Sequence, residues 1–169
     1  MLVGVLSDTH DNLGNVEKAI DLLKKKNITT VIHAGDIIAP FTLKKFSKSG
    51  LRFYGVLGNN DGEIYLLSKI ALSEGLSLRH PPYELKLGDR KIVIFHGMGG
   101  MEETKRIVRA IAKYGDYDIV IFGHTHEITV ERIGRTLLLN PGEVFGGLTG
   151  KASLAILDLK TLEVEIIEL

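Results

Sequence analysis

Short runs of apolar, often β-branched residues alternate along this chain with stretches in which apolar residues recur every three or four positions. The first kind of segment is typical of buried strands and the second of amphipathic helices. Strands are predicted at residues 2–6, 30–33, 52–56, 83–87, 91–95, 118–122, 128–132 and 136–139, and a last hairpin at 152–167. Helices are predicted at 13–23, 41–48 and 102–114. This alternation favours an α/β fold, with strands lying between helices in one domain over residues 1–169.

The composition limits the kinds of partner. The 21 Lys and Arg residues balance the 21 Asp and Glu residues, so the chain has no long-range positive field to attract nucleic acid or an anionic membrane. The apolar run at the N-terminus is too short for a signal sequence or a membrane span. Cysteine is absent, so only nitrogen and oxygen ligands are available for a metal. We expect a cytoplasmic protein without a nucleic acid polymer or a membrane as partner.

Metal-binding side chains occur in the loops that directly follow predicted strands. Asp8 and His10 follow the strand at 2–6, and His124 and His126 follow the strand at 118–122. Residues two apart in an extended chain point to the same side, so each pair can present two ligands to one spot. Taken alone, either pair is more often an ordinary turn or a solvated edge.

Three further loops each add one candidate ligand after a strand, and these are Asp36, Asn59 and His96. Loops at strand ends are where ligands collect in an α/β sheet. Carboxylates, imidazoles and amides suit Mn, Fe, Zn, Co or Ni, and seven ligands are more than one tetrahedral site requires. The pattern therefore predicts a centre for more than one divalent transition-metal ion.

In chain order these loops read DTH, GD, GNND, HG and GHTH, and an NPGE segment follows. The sequence resembles the calcineurin-like metallophosphoesterases, and among them the small single-domain phosphodiesterases of bacteria and archaea. The resemblance implies a four-layer α-β-β-α sandwich of two mixed sheets flanked by helices. It also implies a first metal site of Asp8, His10, Asp36 and His126, and a second of Asp36, Asn59, His96 and His124. Asp36 would bridge the two ions.

Hydrolysis of a small phosphodiester is the activity that this resemblance implies. Two divalent cations about 3.5–4 Å apart repel each other and need a shared anion between them. Two carboxylates against four positive charges leave a local charge of about +2, which attracts a phosphate ester although the whole chain is neutral. A metal-bridging water whose pKa falls from about 15.7 toward roughly 7 would be the nucleophile.

Asn60 departs from the family pattern, in which a His commonly follows the Asn and assists the leaving oxygen. An amide can donate a hydrogen bond, but it is not a general acid near pH 7. We therefore expect a preference for diesters or for esters with good leaving groups. The predicted catalytic side chains are Asn59, Asn60 and His96.

Other functions stay open from the sequence. A phosphomonoesterase would use the same metals. A protein-binding scaffold with little activity is the role of this fold in retromer, where metal-site residues are partly replaced, whereas all seven candidate ligands are present here. Neither length nor charge supports a nuclease or a protein phosphatase. The resemblance is compatible with a homodimer or a larger homo-oligomer.

Several other polar residues are left without an assigned role. His33 is expected in the core or behind a ligand, and His80 in a loop. Glu143 is equally compatible with a loop and with a contact to the metal centre. Asp11, Asn12 and Asp61 are each compatible with orienting a ligand and with an ordinary loop or helix-cap role.

Overall fold

The computed structural model describes residues 1–169 as eleven strands and four helices. The strands are β1 (Leu2–Leu6), β2 (Thr30–His33), β3 (Arg52–Val56), β4 (Ser77–Arg79), β5 (Tyr83–Leu87), β6 (Arg90–Ile94), β7 (Ile119–Ile121), β8 (Thr129–Ile133), β9 (Thr136–Asn140), β10 (Ser153–Asp158) and β11 (Val164–Glu168). The helices are α1 (Leu13–Lys25), α2 (Pro40–Ser49), α3 (Ile64–Ser73) and α4 (Met101–Tyr114). None of these helices is both long and apolar enough to cross a membrane.

The strands form two mixed sheets. The first has the order β11-β10-β1-β2-β3-β4, with β1 to β4 parallel and the other two strands antiparallel to their neighbours. The second has the order β5-β6-β7-β9-β8, in which β6, β7 and β9 are parallel and the two edge strands antiparallel. Leu6 pairs with His33, which pairs with Gly55, so β1, β2 and β3 end at nearly the same level. The loops that follow them therefore leave the sheet at one edge.

Alternation of side chains across each strand divides the core into layers. On β6, Ile92 and Ile94 pack against residues of the first sheet, whereas Val93 packs with residues of α4. The outer face of the first sheet is covered by α1, α2 and α3, and the outer face of the second by α4. The predicted four-layer α-β-β-α arrangement is confirmed.

The pattern of the sequence does not predict α3 or β4. In α3, only Leu67 and Ala71 are buried, whereas Tyr65 and Leu72 are apolar and exposed. Apolar side chains therefore lie on several sides of this helix, and the contrast that marks an amphipathic helix is weak. β4 is only three residues long and pairs with β3 at the end of the first sheet. Such a short edge strand leaves little periodic signal.

Candidate metal centre

The loops that follow β1, β2, β3, β6 and β7 meet at one edge of the sandwich, and they contain all seven predicted ligands. Backbone hydrogen bonds join neighbouring loops. Asp8 N donates to Gly35 O at 3.0 Å, and Gly123 N donates to His96 O at 3.0 Å. The parallel strands thus bring residues distant in sequence to one place.

Asp8, His10, Asp36 and His126 form a first group, whose ligand atoms all lie within 4.8 Å of one another. His126 Nε2 is 3.4 Å from Asp8 Oδ1, and His10 Nε2 is 3.4 Å from Asp36 Oδ2. Both carboxylates are almost completely buried. Buried carboxylates so close together need a compensating positive charge, which a divalent cation would supply.

Asn59, His96 and His124 form a second group beside Asp36. Asn59 Oδ1 lies 3.0 Å from His96 Nε2 and 2.7 Å from His124 Nδ1. His96 Nε2 also lies 3.3 Å from Asp36 Oδ1. The two carboxylate oxygens of Asp36 therefore face different groups, Oδ2 toward His10 and Oδ1 toward His96.

Hydrogen bonds fix the tautomers of two imidazoles in the second group. His96 Nδ1 donates to Ala34 O at 2.6 Å, and His124 Nε2 donates to Gly99 O at 2.8 Å. A carbonyl oxygen can only accept, so the proton lies on those two nitrogens. The other nitrogen of each ring faces Asn59 Oδ1, and in the neutral imidazole it is the nitrogen with the lone pair that a metal would need.

His10 tests directly whether a metal fits this arrangement. Its Nε2 atom is buried and has no hydrogen-bond partner, although Asp36 Oδ2 lies at 3.4 Å and Asp8 Oδ1 at 4.0 Å. Leaving a buried polar atom without a partner costs about 1–3 kcal/mol. A cation between this nitrogen and the two carboxylates would satisfy all three groups, so the residues fit a divalent metal cofactor.

The surroundings of the centre keep Asp36 ionised. Burial acts to raise its pKa, but the contact with His96 and the hydrogen bonds from Asn60 outweigh that effect, and the pKa lies well below its usual range. The pKa of His96 is raised although burial acts to lower it, because Asp36 and Asp8 stabilise its protonated form. Burial raises the pKa of Asp8, against the opposing effect of His96 and His126. The centre thus already favours positive charge around Asp36.

Most of the predicted ligands have a left-handed backbone conformation, which side-chain-bearing residues rarely adopt. The φ angles are 51° at Asp8, 42° at His10, 57° at Asp36, 68° at His124 and 57° at His126. Such a conformation costs of order 1–3 kcal/mol per residue and is typically found at functional sites, where the surrounding structure holds it. Here the joined strand-end loops provide that support.

Two glycines permit the close packing of these loops. A Cβ atom at Gly58 would overlap Asp36 Oδ1, and one at Gly123 would overlap Ser7 Oγ. Neither residue has a positive φ, so the requirement is one of space and not of backbone conformation. The GN and GH parts of the motifs therefore have a steric reason.

Glu143, whose role the sequence left open, lies behind His126. Its side chain is fully buried, and its Oε2 lies 2.8 Å from His126 Nδ1. Its Oε1 accepts hydrogen bonds from Leu148 N at 3.0 Å and from Thr149 N at 2.6 Å. Burial acts to raise the pKa of Glu143, but the hydrogen bonds from Thr149 and His126 hold it below its usual value. Glu143 thus orients the imidazole of His126 with Nε2 toward Asp8.

Asn60 and Asp61 connect the loops after β2 and β3. The backbone N of Asn60 donates to Asp36 Oδ1 at 2.9 Å, and its Nδ2 donates to Asp36 Oδ2 at 2.7 Å. Asp61 accepts from Ile38 N at 2.5 Å and from Gly58 N at 2.6 Å. Asn60 therefore contacts both carboxylate oxygens of Asp36, while Asp61 holds the backbone of the loop after β2 to the backbone of the loop after β3.

Ser7 is a residue that the sequence reasoning missed. Its Oγ donates to Asp8 Oδ2 at 2.6 Å, and His124 N donates to the same oxygen at 3.1 Å. Asp8 Oδ1 lies 3.3 Å from the same His124 N and 3.4 Å from Nε2 of His126. The only signal in the sequence is that Ser7 precedes the first predicted ligand.

The remaining polar candidates lie outside the two groups. His33 is buried, with Nε2 at 3.2 Å from Thr9 Oγ1 and Nδ1 accepting from Gly35 N at 3.2 Å, and burial lowers its pKa to about 3. His80 is exposed. Asp11 accepts from the backbone N of Thr42 near the start of α2, and Asn12 caps α1.

Comparisons with known proteins agree with this geometry. The sequence model of the calcineurin-like phosphoesterase superfamily domain matches residues 1–162. The chain is 36% identical to phosphodiesterase MJ0936 of Methanocaldococcus jannaschii over an alignment 169 positions long, which covers 96% of each chain. The solved structure of an archaeal phosphodiesterase superposes with a TM-score of 0.91, at 36% identity and over 100% of both chains.

The structure also resembles Vps29 of Entamoeba histolytica, which was solved in complex with Zn²⁺. The TM-score is 0.71 and the identity 26%, over 99% of this chain and 91% of the other. The resemblance noted in the motifs thus extends to the whole chain and to its fold. By its sequence and its fold, the chain belongs to the calcineurin-like phosphoesterase superfamily.

Proposed function

We propose that this protein is a metal-dependent phosphodiesterase that hydrolyses small phosphodiesters with two divalent cations bound on either side of Asp36. The observation that carries the proposal is the arrangement of Asp36, whose oxygens face His10 and His96 separately. Membership of the phosphoesterase superfamily and similarity to phosphodiesterase MJ0936 support the same reaction class.

The two groups of side chains are the proposed metal ligands. Asp8, His10, Asp36 and His126 would hold one cation, and Asp36, Asn59, His96 and His124 the other. When bound, the cations would supply positive charge for the phosphate ester and lower the pKa of water enough to provide hydroxide at neutral pH. The protein contributes a fixed tautomer at His96 and His124 and a fixed orientation of His126 through Glu143.

Asn60 is proposed to act without transferring a proton. Its amide donates to Asp36 Oδ2 at 2.7 Å, and it lies on the exposed side of the centre. An amide can stabilise developing negative charge by a hydrogen bond, but it cannot protonate a leaving alkoxide near pH 7. Diesters and esters with good leaving groups are therefore the proposed substrates.

We also propose a range of metals, a cellular location and an oligomeric state. The nitrogen and oxygen ligand set suits Mn, Ni, Fe, Co or Zn. Ligand type alone does not discriminate between these metals. A cytoplasmic location is proposed on the absence of cysteine from the sequence. A homodimer or larger homo-oligomer is proposed on the family resemblance alone.

Hydrolysis of bis(p-nitrophenyl) phosphate by protein freed of metal and then supplied with Mn²⁺, Ni²⁺, Co²⁺, Zn²⁺ or Fe²⁺ tests the function. We expect turnover only with added metal, and a higher kcat/KM than for p-nitrophenyl phosphate. A higher kcat/KM for the monoester would favour a phosphomonoesterase. No turnover with any of the five metals would favour a protein-binding scaffold.

The role of Asn60 has its own test. In a series of aryl phosphodiesters, we expect kcat to fall steeply as the pKa of the leaving phenol rises, because no side chain donates a proton to it. The Asn60→His variant should flatten this dependence. A rate that is nearly independent of leaving-group pKa in the unmodified protein would contradict the proposed role.

A further inference from the structure

Large apolar side chains are exposed mainly on the edge of the molecule that carries the metal centre. Of the thirteen that are exposed, eight lie in loops that follow strand ends or in the first turn of the next helix. These eight are Phe41, Ile64, Tyr65, Leu66, Met98, Met101, Ile128 and Leu148. Apolar surface concentrated in this way typically marks a binding site, whereas single exposed apolar residues are ordinary.

Phe145 places an aromatic ring directly beside the metal ligands. Its ring centroid lies 5.3 Å from that of His10, and the residue is partly exposed. The backbone of Phe145 is fixed from both sides, because its N donates to Asp8 O at 3.0 Å and its O accepts from Asn12 Nδ2 at 2.9 Å. A phosphate ester bound at the first group of ligands would therefore have this ring as a neighbour.

Leu148 is an exposed apolar residue on the same loop as Phe145. Its side chain is 69% exposed, while its backbone N donates to the buried Glu143 at 3.0 Å. The other oxygen of Glu143 contacts His126, so one carboxylate holds both the loop and a proposed ligand. The exposed side chain thus sits on an anchored backbone close to the centre.

The loops around the proposed metal centre contain almost no basic side chains. The six loops at residues 7–12, 34–39, 57–63, 95–100, 122–128 and 141–152 contain seven acidic residues and one basic residue. The acidic residues are Asp8, Asp11, Asp36, Asp61, Glu63, Glu127 and Glu143, and the basic one is Lys151. A second phosphate or a carboxylate on the substrate would therefore find no free cation in these loops.

Three basic residues in or next to these elements already have partners. Lys151 faces Glu168 at 3.7 Å, and Lys105 contacts Glu127 at 2.8 Å. Arg79, at the end of β4, stacks over the ring of Tyr83 at 4.6 Å. Nucleic acid and polyphosphate substrates need several phosphate contacts from Lys or Arg, which this surface does not present.

We infer that the substrate is a phosphodiester with a single negative charge, whose non-leaving group is uncharged and apolar and binds against Phe145 and Leu148. The inference rests on the proposed phosphodiesterase function and names its substrate class. An aromatic group in place of a methyl group buries enough additional apolar surface to strengthen binding by about tenfold.

Three esters with the same leaving group test the inference on metal-loaded protein. They are phenyl, methyl and 4-carboxyphenyl p-nitrophenyl phosphate. In each, water adds to phosphorus and the P–O bond to p-nitrophenolate breaks, leaving the monoester of the other group. We expect the KM of the phenyl ester to be about tenfold lower than that of the methyl ester. The 4-carboxyphenyl ester should lose this advantage because its extra charge finds no cation.

Variants assign the effect to the two side chains. Phe145→Ala and Leu148→Ala should raise the KM of the phenyl ester severalfold more than that of the methyl ester, and Leu148→Lys should lower the KM of the 4-carboxyphenyl ester. Leu72→Ala is the matched control, because Leu72 is 86% exposed near the C-terminal end of α3 and away from the centre. The metal content of each variant is measured. If Phe145→Ala loses metal, the KM values of Leu148→Ala alone test the apolar subsite.

Binding of the products separates the two claims. Calorimetry should show phenyl phosphate binding the metal-loaded protein more tightly than methyl phosphate. Equal KM values for phenyl and methyl esters, with no effect of Leu148→Ala, would overturn the apolar subsite while leaving the phosphodiesterase in place. No hydrolysis of any ester, together with tighter binding of phenyl phosphate, would overturn the function and leave the subsite. A 4-carboxyphenyl ester with the lowest KM would overturn the charge argument.

Discussion

His126 and Glu143 are 17 residues apart in the chain, yet they share a hydrogen bond of 2.8 Å. The proposed ligands themselves could be predicted from the sequence, because their residue types follow apolar strands at regular places. Glu143 and Ser7 could not be assigned in this way, because their roles depend on which loops meet in space. Local motifs are enough to recognise the proposed ligands, whereas the residues that orient them can be recognised only from tertiary contacts.

The Glu143→Gln variant tests the orienting role. Both carboxylate oxygens of Glu143 accept hydrogen bonds, one from His126 and the other from Leu148 and Thr149. A Gln amide would turn an NH₂ group toward one of these donors, so either the imidazole or the loop must shift. We expect metal affinity to fall by about 10–100-fold, measured by calorimetric titration with Mn²⁺ or Zn²⁺.

Glu165→Gln is the control for this variant, because Glu165 is exposed and pairs only with Lys26 on the surface. That substitution should leave the affinity as it is. If Glu143→Gln binds metal as tightly as the unmodified protein, Glu143 supports the loop alone and does not orient a ligand.

The loops between strands and helices determine how closely the ligands approach one another. Their strands were predictable, because runs such as residues 2–6 and 30–33 are short and continuously apolar. The helix α3 and the strand β4 were not predictable, since α3 has apolar residues on several sides and β4 has three residues. Both follow the Asn59 loop, so the sequence indicated a candidate ligand but not the elements that come after it.

The Gly58→Ala variant tests the packing of the loops after β2 and β3. A Cβ atom at this position would overlap Asp36 Oδ1, so the loops must separate. We expect a loss of about 1–3 kcal/mol in the free energy of unfolding and weaker metal binding, measured by urea denaturation and by metal analysis. Gly62→Ala, in the same loop, is the matched control, because nothing lies within 4 Å of the added Cβ. Equal effects of the two substitutions would contradict this account.

Across the whole molecule, the two sheets pack so that the loops after the parallel strands of each sheet lie at one edge. The four-layer arrangement followed from the family resemblance and is confirmed, whereas the alternation of strands and helices alone predicted only an α/β fold. The chain is neutral overall, whereas the loops at this edge contain seven acidic residues and one basic residue.

The stability of the fold should depend on pH through His33. Burial lowers its pKa to about 3 from an ordinary value near 6.5, so the folded protein keeps it neutral where the unfolded chain takes up a proton. The free energy that buried, neutral His33 contributes to stability is therefore fully present above pH 6.5, and it is lost as the pH falls toward 3. Between pH 7.5 and pH 5 we expect His33 to account for a loss of about 2 kcal/mol in the free energy of unfolding.

Urea denaturation in the presence of a chelator measures this contribution, comparing the unmodified protein with His33→Gln. The decrease between pH 7.5 and pH 5 should be about 2 kcal/mol smaller in the variant. The exposed residue His80 provides the control, since His80→Gln should leave the decrease unchanged. An identical decrease in all three proteins would show that His33 does not titrate as described.

Metal analysis of the Asp36→Asn variant tests the central claim that Asp36 is shared by two cations. An amide offers one neutral acceptor oxygen where the carboxylate offers two that share a negative charge, so the two ions would lose the anion between them. Asp89→Asn, in an exposed turn, is the control. We expect two divalent ions per chain in the unmodified protein and in the control, and loss of both ions together with diesterase activity in Asp36→Asn. Retention of one ion at full occupancy, or of activity, would contradict the bridge.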